Sequence, residues 1–358
     1  MNDRTRILGA VGVTVLLFLG VQLGALALIE PFYESERQAV ENPEDPTNSV
    51  VYFGIILAAT ALMLAAFKFD QQWLIRALIV GVSVMLSWFV FSEFVPPTVT
   101  VGSVNALAAL AAAGVGAALL LYPEWYVIDL TGMLMGAGAA ALFGISFGLL
   151  PALLLLTVLA VYDAISVYGT EHMLDLAEGV MDLKIPVVLV IPTTLSYSYL
   201  ESGAGEPETL ESDGDGAASD GGADRSLEAD GEMDPELKPD PSVSGDGTED
   251  ADADEDDGEE LERDALFIGL GDAVIPTILV VSAAFFLEVG TLGLPWIALN
   301  LPALGALLGT IVGLLVLMYM VLKGRAHAGL PLLNGGAIGG YLLGALASGL
   351  SIATALGF

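Results

Sequence analysis

Cysteine is absent from the 358 residues, histidine occurs only at His172 and His327, and Lys and Arg together number 11. Without a thiol there is no disulfide, no thiolate nucleophile and no cysteine-ligated metal. Two histidines make a histidine-rich metal site a poor expectation. The shortage of positive charge, against 44 Asp and Glu and a formal net charge of -33, argues against a nucleic-acid partner, because phosphate binding needs Lys and Arg. Charged residues are scarce at 15%, whereas apolar residues make up 55% and glycines number 42. That composition belongs to a polytopic protein of the lipid bilayer.

Most of the acid lies in one place. Residues 201–264 hold 26 Asp and Glu against Arg225, Lys238 and Arg263. The tract is rich in Gly, Ser and Pro and poor in large apolar side chains, which predicts a disordered, solvated loop. An acidic soluble segment of this kind suits a salt-rich cytoplasm such as a halophile's. At the start of the chain, Arg4 and Arg6 precede about 23 apolar residues, long enough to span, so this run is expected to stay as a helix and not to be cleaved as a signal.

A hydropathy window of about 19 residues selects nine runs. They cover residues 7–29, 50–67, 74–94, 99–121, 126–145, 149–168, 265–287, 302–322 and 331–356. The expected fold class is an all-α polytopic membrane protein with nine transmembrane helices and a long disordered acidic loop between helices six and seven. Residues 1–145 would carry helices one to five as a scaffold, 146–200 helix six with a short amphipathic helix and a strand, 201–264 the loop, and 265–358 helices seven to nine. With the N-terminus inside, ten of the 11 cations fall on the cytoplasmic side and only Arg37 lies outside, which also places the acidic loop inside and the C-terminus outside.

Two carboxylates stand within these apolar runs, Asp163 in helix six and Asp272 in helix seven. An ionisable group at membrane depth costs at least a few kcal/mol and is a functional hypothesis by default. Counted from the loop they share, both lie roughly 7 to 10 Å deep. Two such groups a few ångströms apart cannot both ionise cheaply, so a pair would share one proton. The ionised partner could then take a proton from a water attacking a peptide carbonyl while the other donates to the carbonyl oxygen. That chemistry needs no metal and no organic cofactor. Asp129, in YVIDLTG, lies about one turn from a boundary and is expected to snorkel to water, outside the site.

The surroundings are unusual for a helix. Gly269, Leu270, Gly271 and Asp272 are followed by Pro276, which has no N–H for the Asp272 carbonyl, so the helix should be deformable and wet there. Tyr162 either packs as an apolar ring or donates a hydrogen bond near Asp163. Pro331, Leu332, Leu333, Asn334, Gly335 and Gly336 open the ninth run after Gly329 and Leu330; the glycines serve either tight packing or an irregular stretch facing the aspartates. Residues 171–183 have the spacing of a surface amphipathic helix. In KIPVVLVIP, the β-branched run between Pro186 and Pro192 reads as an isolated strand that either pairs or receives a peptide.

Tyr162-Asp163, Gly269-Leu270-Gly271-Asp272 and Pro331-Leu332-Leu333 together resemble the presenilin and signal peptide peptidase family of intramembrane aspartyl proteases. The runs VYDAISVYGTEHM, KIPVVLVIP and GLGDAVIP resemble the signal peptide peptidase branch most closely, while the inferred orientation is presenilin-like. The resemblance implies that Asp163 and Asp272 are the catalytic pair, and that Pro331, Leu332 and Leu333 match a Pro-Ala-Leu motif with Leu332 in place of alanine. It also implies that Val188 and Val190 lie on a strand that could pair with an unwound substrate. The substrates would be transmembrane helices of other proteins, with no obligate partner subunit evident. The rival reading is a proton- or cation-coupled secondary transporter using the same carboxylates, against which stands the absence of a visible internal repeat.

Overall fold

The computed structural model describes residues 3–69, 71–102, 104–169, 186–192, 198, 265–323 and 328–357. The expected amphipathic helix 171–183, the acidic tract 201–264, and His172 and His327 lie outside the described residues.

The architecture is mostly helical, as the hydropathy requires of a chain that must satisfy its backbone groups internally in lipid. Helices α1 (Asp3–Ala27), α2 (Ile29–Glu34), α3 (Thr47–Lys68) and α4 (Gln72–Phe94) come first. A hairpin of β1 (Thr100–Val101) and β2 (Val104–Asn105) leads into α5 (Ala106–Leu121). Then follow α6 (Trp125–Ser146), α7 (Leu149–Gly169), strands β3 (Val188–Pro192) and β4 (Ala265–Gly269), α8 (Leu270–Phe286), α9 (Leu301–Val321), α10 (Gly329–Ala347) and α11 (Ile352–Ala355). Among the described residues, seven helices are long and apolar enough to cross a bilayer, and α5 and α8 are shorter apolar helices. The protein is a multi-pass membrane protein.

Three runs differ from the hydropathy reading for identifiable reasons. The fourth, 99–121, starts as a helix only at Ala106, because Asn105 caps it: its side-chain Oδ1 accepts from the backbone amides of Leu107 and Ala108 at 3.2 and 3.4 Å while its Nδ2 donates to the Val95 carbonyl at 2.7 Å. The seventh, 265–287, begins as strand β4 and becomes helical at Leu270. The ninth, 331–356, begins earlier, at Gly329, and stops at Ala347, where Gly349 takes a left-handed φ of 80°. The chain then turns back, and the Tyr341 hydroxyl donates to the Ala355 carbonyl of α11 at 2.5 Å.

Close packing of glycine fixes the helices that carry the site. On α9, Gly305, Gly309 and Gly313 lie against the backbones of Gly340, Gly336 and Leu332 of α10, so that a Cβ at any of the three would run into a partner carbonyl. Small residues let helices approach this closely where lipid provides no hydrophobic drive for association. Gly336 serves this contact, whereas Gly335 faces open space. On α6, a Cβ at Gly144 would run into Val281 of α8, and one at Gly136 would press on Leu270 and Val274 at 3.1 and 3.2 Å. At the opposite end from the site, Arg37 pairs with Glu93 at 2.8 Å with its guanidinium over the Phe89 ring, joining the segment after α2 to the end of α4.

Candidate active site

Three chain ends converge at one end of the bundle: the last turns of α7, the first turn of α8 and the first turn of α10. Asp163 is buried on α7, and its Oδ2 accepts the N–H of Leu330, the second residue of α10, at 3.1 Å. The first four amides of a helix have no intrahelical partner, so this N–H is a donor that α10 must place somewhere, and a carboxylate oxygen suits it. Asp272 is the third residue of α8. Its Oδ2 lies 3.2 Å from where a Cβ on Gly329 would stand, so only glycine leaves the carboxylate its present space. Both acids therefore stand beside the Gly329–Leu330 peptide.

The acids meet by a route that a count along two helices does not describe. Because residues 265–269 are extended, Asp272 lies within the first turn of its helix and not two turns in. The junction is held by the Leu270 amide, which donates to the Val187 carbonyl at 2.7 Å, and by the Leu270 side chain, buried against Gly132 and Gly136 of α6. Gly269 and Gly271 are exposed and leave the approach to Asp272 without side chains. Pro276 is buried within α8, and one position on the Thr277 hydroxyl donates to the Ala273 carbonyl at 2.6 Å.

The remaining expected residues divide into those near the acids and those elsewhere. Pro331 and Leu332 are partly buried and Leu333 fully buried in the first turns of α10, with the backbone of Leu332 and Leu333 pressed against Gly313 of α9. Tyr162 turns away from Asp163: its ring meets Phe53 of α3 edge to face, centroids 5.9 Å apart. Adjacent helical residues point about 100° apart, so the two cannot share a face.

The strand expected to stand alone is paired. β3 and β4 are antiparallel, with Leu189 opposite Ile268 and Ile191 opposite Leu266. Since ladder bonds alternate and the Leu270–Val187 bond sets the parity, the Val190 amide points away from β4. It donates to Asp129 Oδ1 at 2.7 Å. One edge of β3 thus meets β4, and on the other the Val190 amide is taken by α6. Asp129 is only 4% exposed, so it does not snorkel to water as its position near the helix start suggested.

Two groups named in the sequence only as part of the opening of the ninth run make bonds that shape the site. The Leu330 amide carries no side-chain signal. Asn334, fully buried, donates from Nδ2 to the Leu156 carbonyl of α7 at 2.9 Å and forms a second link between the helices joined by Asp163 and Leu330. An amide in an apolar helix was the available clue.

A family model described as signal-peptide peptidase, presenilin aspartyl protease matches residues 15–350. The chain belongs to that family. It is an intramembrane aspartyl protease, a hydrolase of peptide bonds, and no comparison supports the transporter reading. Among solved structures, a presenilin family intramembrane aspartate protease in a C222 crystal form is 30% identical, covers 95% of this chain and 99% of its own, and superimposes with a TM-score of 0.58. One in a P2 form is 31% identical, covers 93% and 96%, and gives 0.56. No curated protein sequence matches this chain.

Proposed function

We propose that Asp163 and Asp272 are the catalytic pair of this protease and that it cuts transmembrane helices or signal-peptide remnants. The supporting observation is the convergence of both carboxylates on the Gly329–Leu330 peptide. One acid, ionised, takes a proton from water as the oxygen attacks the scissile carbonyl; the other, protonated, donates to the carbonyl oxygen and then assists the leaving amine. Leu330 orients Asp163 through its N–H, and Gly329 leaves the Asp272 carboxylate its space. Pro331, Leu332 and Leu333 shape the cleft by fixing the start of α10 against α9. The exposed backbone of Gly269, at the end of β4 beside Asp272, is where an unwound substrate segment would meet the protein.

The nine-span plan follows if α5 and α8 cross the bilayer as short helices beside the seven longer ones. The positive charges then place the N-terminus and acidic loop in the cytoplasm and the C-terminus outside, and the cut falls near the cytoplasmic end of the substrate helix. The excess of acid fits a salt-rich cell interior.

Co-reconstitution with a single-span substrate tests the reading. Wild type should yield a product cut toward the cytoplasmic end, and Asp163→Ala and Asp272→Ala should each fall to background. Persisting cleavage in either variant would remove that aspartate from the pair.

A further inference from the structure

The face of α6 toward the β3–β4 hairpin is shaped for it. Asp129, Gly132 and Gly136 stand at i, i+3 and i+7, on one side of the helix. A Cβ on Gly132 would press on the Leu189 side chain at 3.1 Å, and one on Gly136 on Leu270 at the same distance, so the glycines are sockets for β3 and for the first residue of α8. Asp129 adds the polar contact, accepting the Val190 amide at 2.7 Å with Val190 only 1% exposed. A second tether lies one turn earlier: the Ser198 hydroxyl donates to Glu124 Oε1 at 2.7 Å.

The consequence concerns register. A strand that slips by one residue turns every amide and side chain to the opposite side. Slippage of β3 against α6 would withdraw the Val190 N–H from Asp129 and lift Leu189 from Gly132. Because the Leu270 amide is bonded to Val187, the same slip would carry the start of α8, and Asp272 two residues beyond it. The carboxylate is a costly side chain for this socket unless its acceptor is needed, since a buried charge or polar group without a partner destabilises by several kcal/mol.

We propose that Asp129 is a positioning residue of this protease: by accepting the Val190 amide it locks the hairpin's register on α6, and so sets where Asp272, and the cut, fall along the substrate. This rests on the assignment of Asp272 to the catalytic pair. It is an acceptor that the position requires, and the amide oxygen of asparagine can supply one.

The test compares wild type, Asp129→Asn and Asp129→Leu, each as the full chain in detergent, by deuterium exchange of the 186–192 segment and by mass spectrometry of the products from one single-span substrate. Asp129→Asn should keep slow exchange and the wild-type cut position. Asp129→Leu should exchange faster, lose kcat by ~10 to 100-fold, as expected for leaving the buried Val190 amide without an acceptor, and cut at shifted or several positions. Unchanged exchange and cut position in Asp129→Leu would overturn the proposal, as would an Asp129→Asn protein that loses either one. If Asp129→Leu does not accumulate folded, Asp129→Asn alone decides by the same criteria. A wild-type protein that cuts normally with Asp272→Ala also active would defeat the assignment of the pair, while exchange at 186–192 would still report on Asp129.

Discussion

The Leu330 amide donates to Asp163 Oδ2 at 3.1 Å across 167 residues of sequence, so the helix that begins the last motif is fastened directly to the first acid. The other membrane carboxylate, Asp272, lies against the preceding residue, with its Oδ2 3.2 Å from where a Cβ on Gly329 would stand. The start of α10 thus borders one carboxylate and donates to the other.

Leu330→Pro removes the donor at a position where a helix has no internal use for it, so helix content should be unchanged. A hydrogen bond contributes about 0.5 to 1.5 kcal/mol with a neutral acceptor and about 1.5 to 3 kcal/mol with an ionised one. Turnover of a single-span substrate should therefore fall, by up to roughly 100-fold. Wild-type turnover in a correctly folded Leu330→Pro protein would mean that Asp163 is positioned by something else.

Gly329→Ala adds a methyl that meets Asp272 Oδ2 at 3.2 Å and Leu317 at 3.4 Å. The carboxylate must move by a few tenths of an ångström, and misplacement on the scale of 1 Å can cost about 100-fold in rate. We expect kcat to drop by about tenfold or more with little change in thermal stability. Gly335→Ala, where a Cβ meets nothing within 4 Å, is the matched control and should be active and equally or more stable.

The two membrane carboxylates and most of the helices could be read from the sequence because both signals are local: an acid in an apolar run is conspicuous, and a span is a long run. The hairpin could not. Ala265–Gly269 is continuous with the apolar residues of α8, and a short unbroken apolar run has no period to separate strand from helix. Its partner lies on the far side of the acidic tract. Asp129 was misjudged for a related reason, since its distance from the membrane boundary is visible in YVIDLTG but the Val190 amide, 61 residues away, is not. The glycine pattern of the ninth run was ambiguous between packing and cleft, and the structure divides it: Gly336 packs and Gly329 borders Asp272.

Gly309→Val should separate activity from local chemistry. A side chain at Gly309 would run into the Gly336 carbonyl, which belongs to a helix backbone and cannot rotate aside. Overpacking of this kind costs about 1 to 3 kcal/mol. The α9–α10 pair should open, and because α10 carries the Leu330 donor, both the melting temperature in detergent and the cleavage rate should fall together. A variant that melts earlier but cuts at the wild-type rate would mean that the start of α10 is held independently of α9.

Tyr162 gives the sharpest contrast with a role inferred from its neighbour. Its ring packs on Phe53 of α3, with centroids 5.9 Å apart, while Asp163 turns to α10. If the hydroxyl took part in proton transfer, Tyr162→Phe would be as damaging as loss of a general acid, on the order of 100-fold or more. The observed packing predicts instead that Tyr162→Phe cuts within about threefold of wild type, because the edge-to-face pair survives. Tyr162→Ala should lose the aromatic pair, about 0.5 to 1.5 kcal/mol beyond the lost area, and loosen α3 from α7, lowering stability first and activity only as α7 shifts. Measuring kcat and melting temperature on both variants distinguishes the two roles: a dead, stable Tyr162→Phe protein would place the hydroxyl in the reaction, whereas an active one leaves the ring as a wedge that sets the outer face of α7.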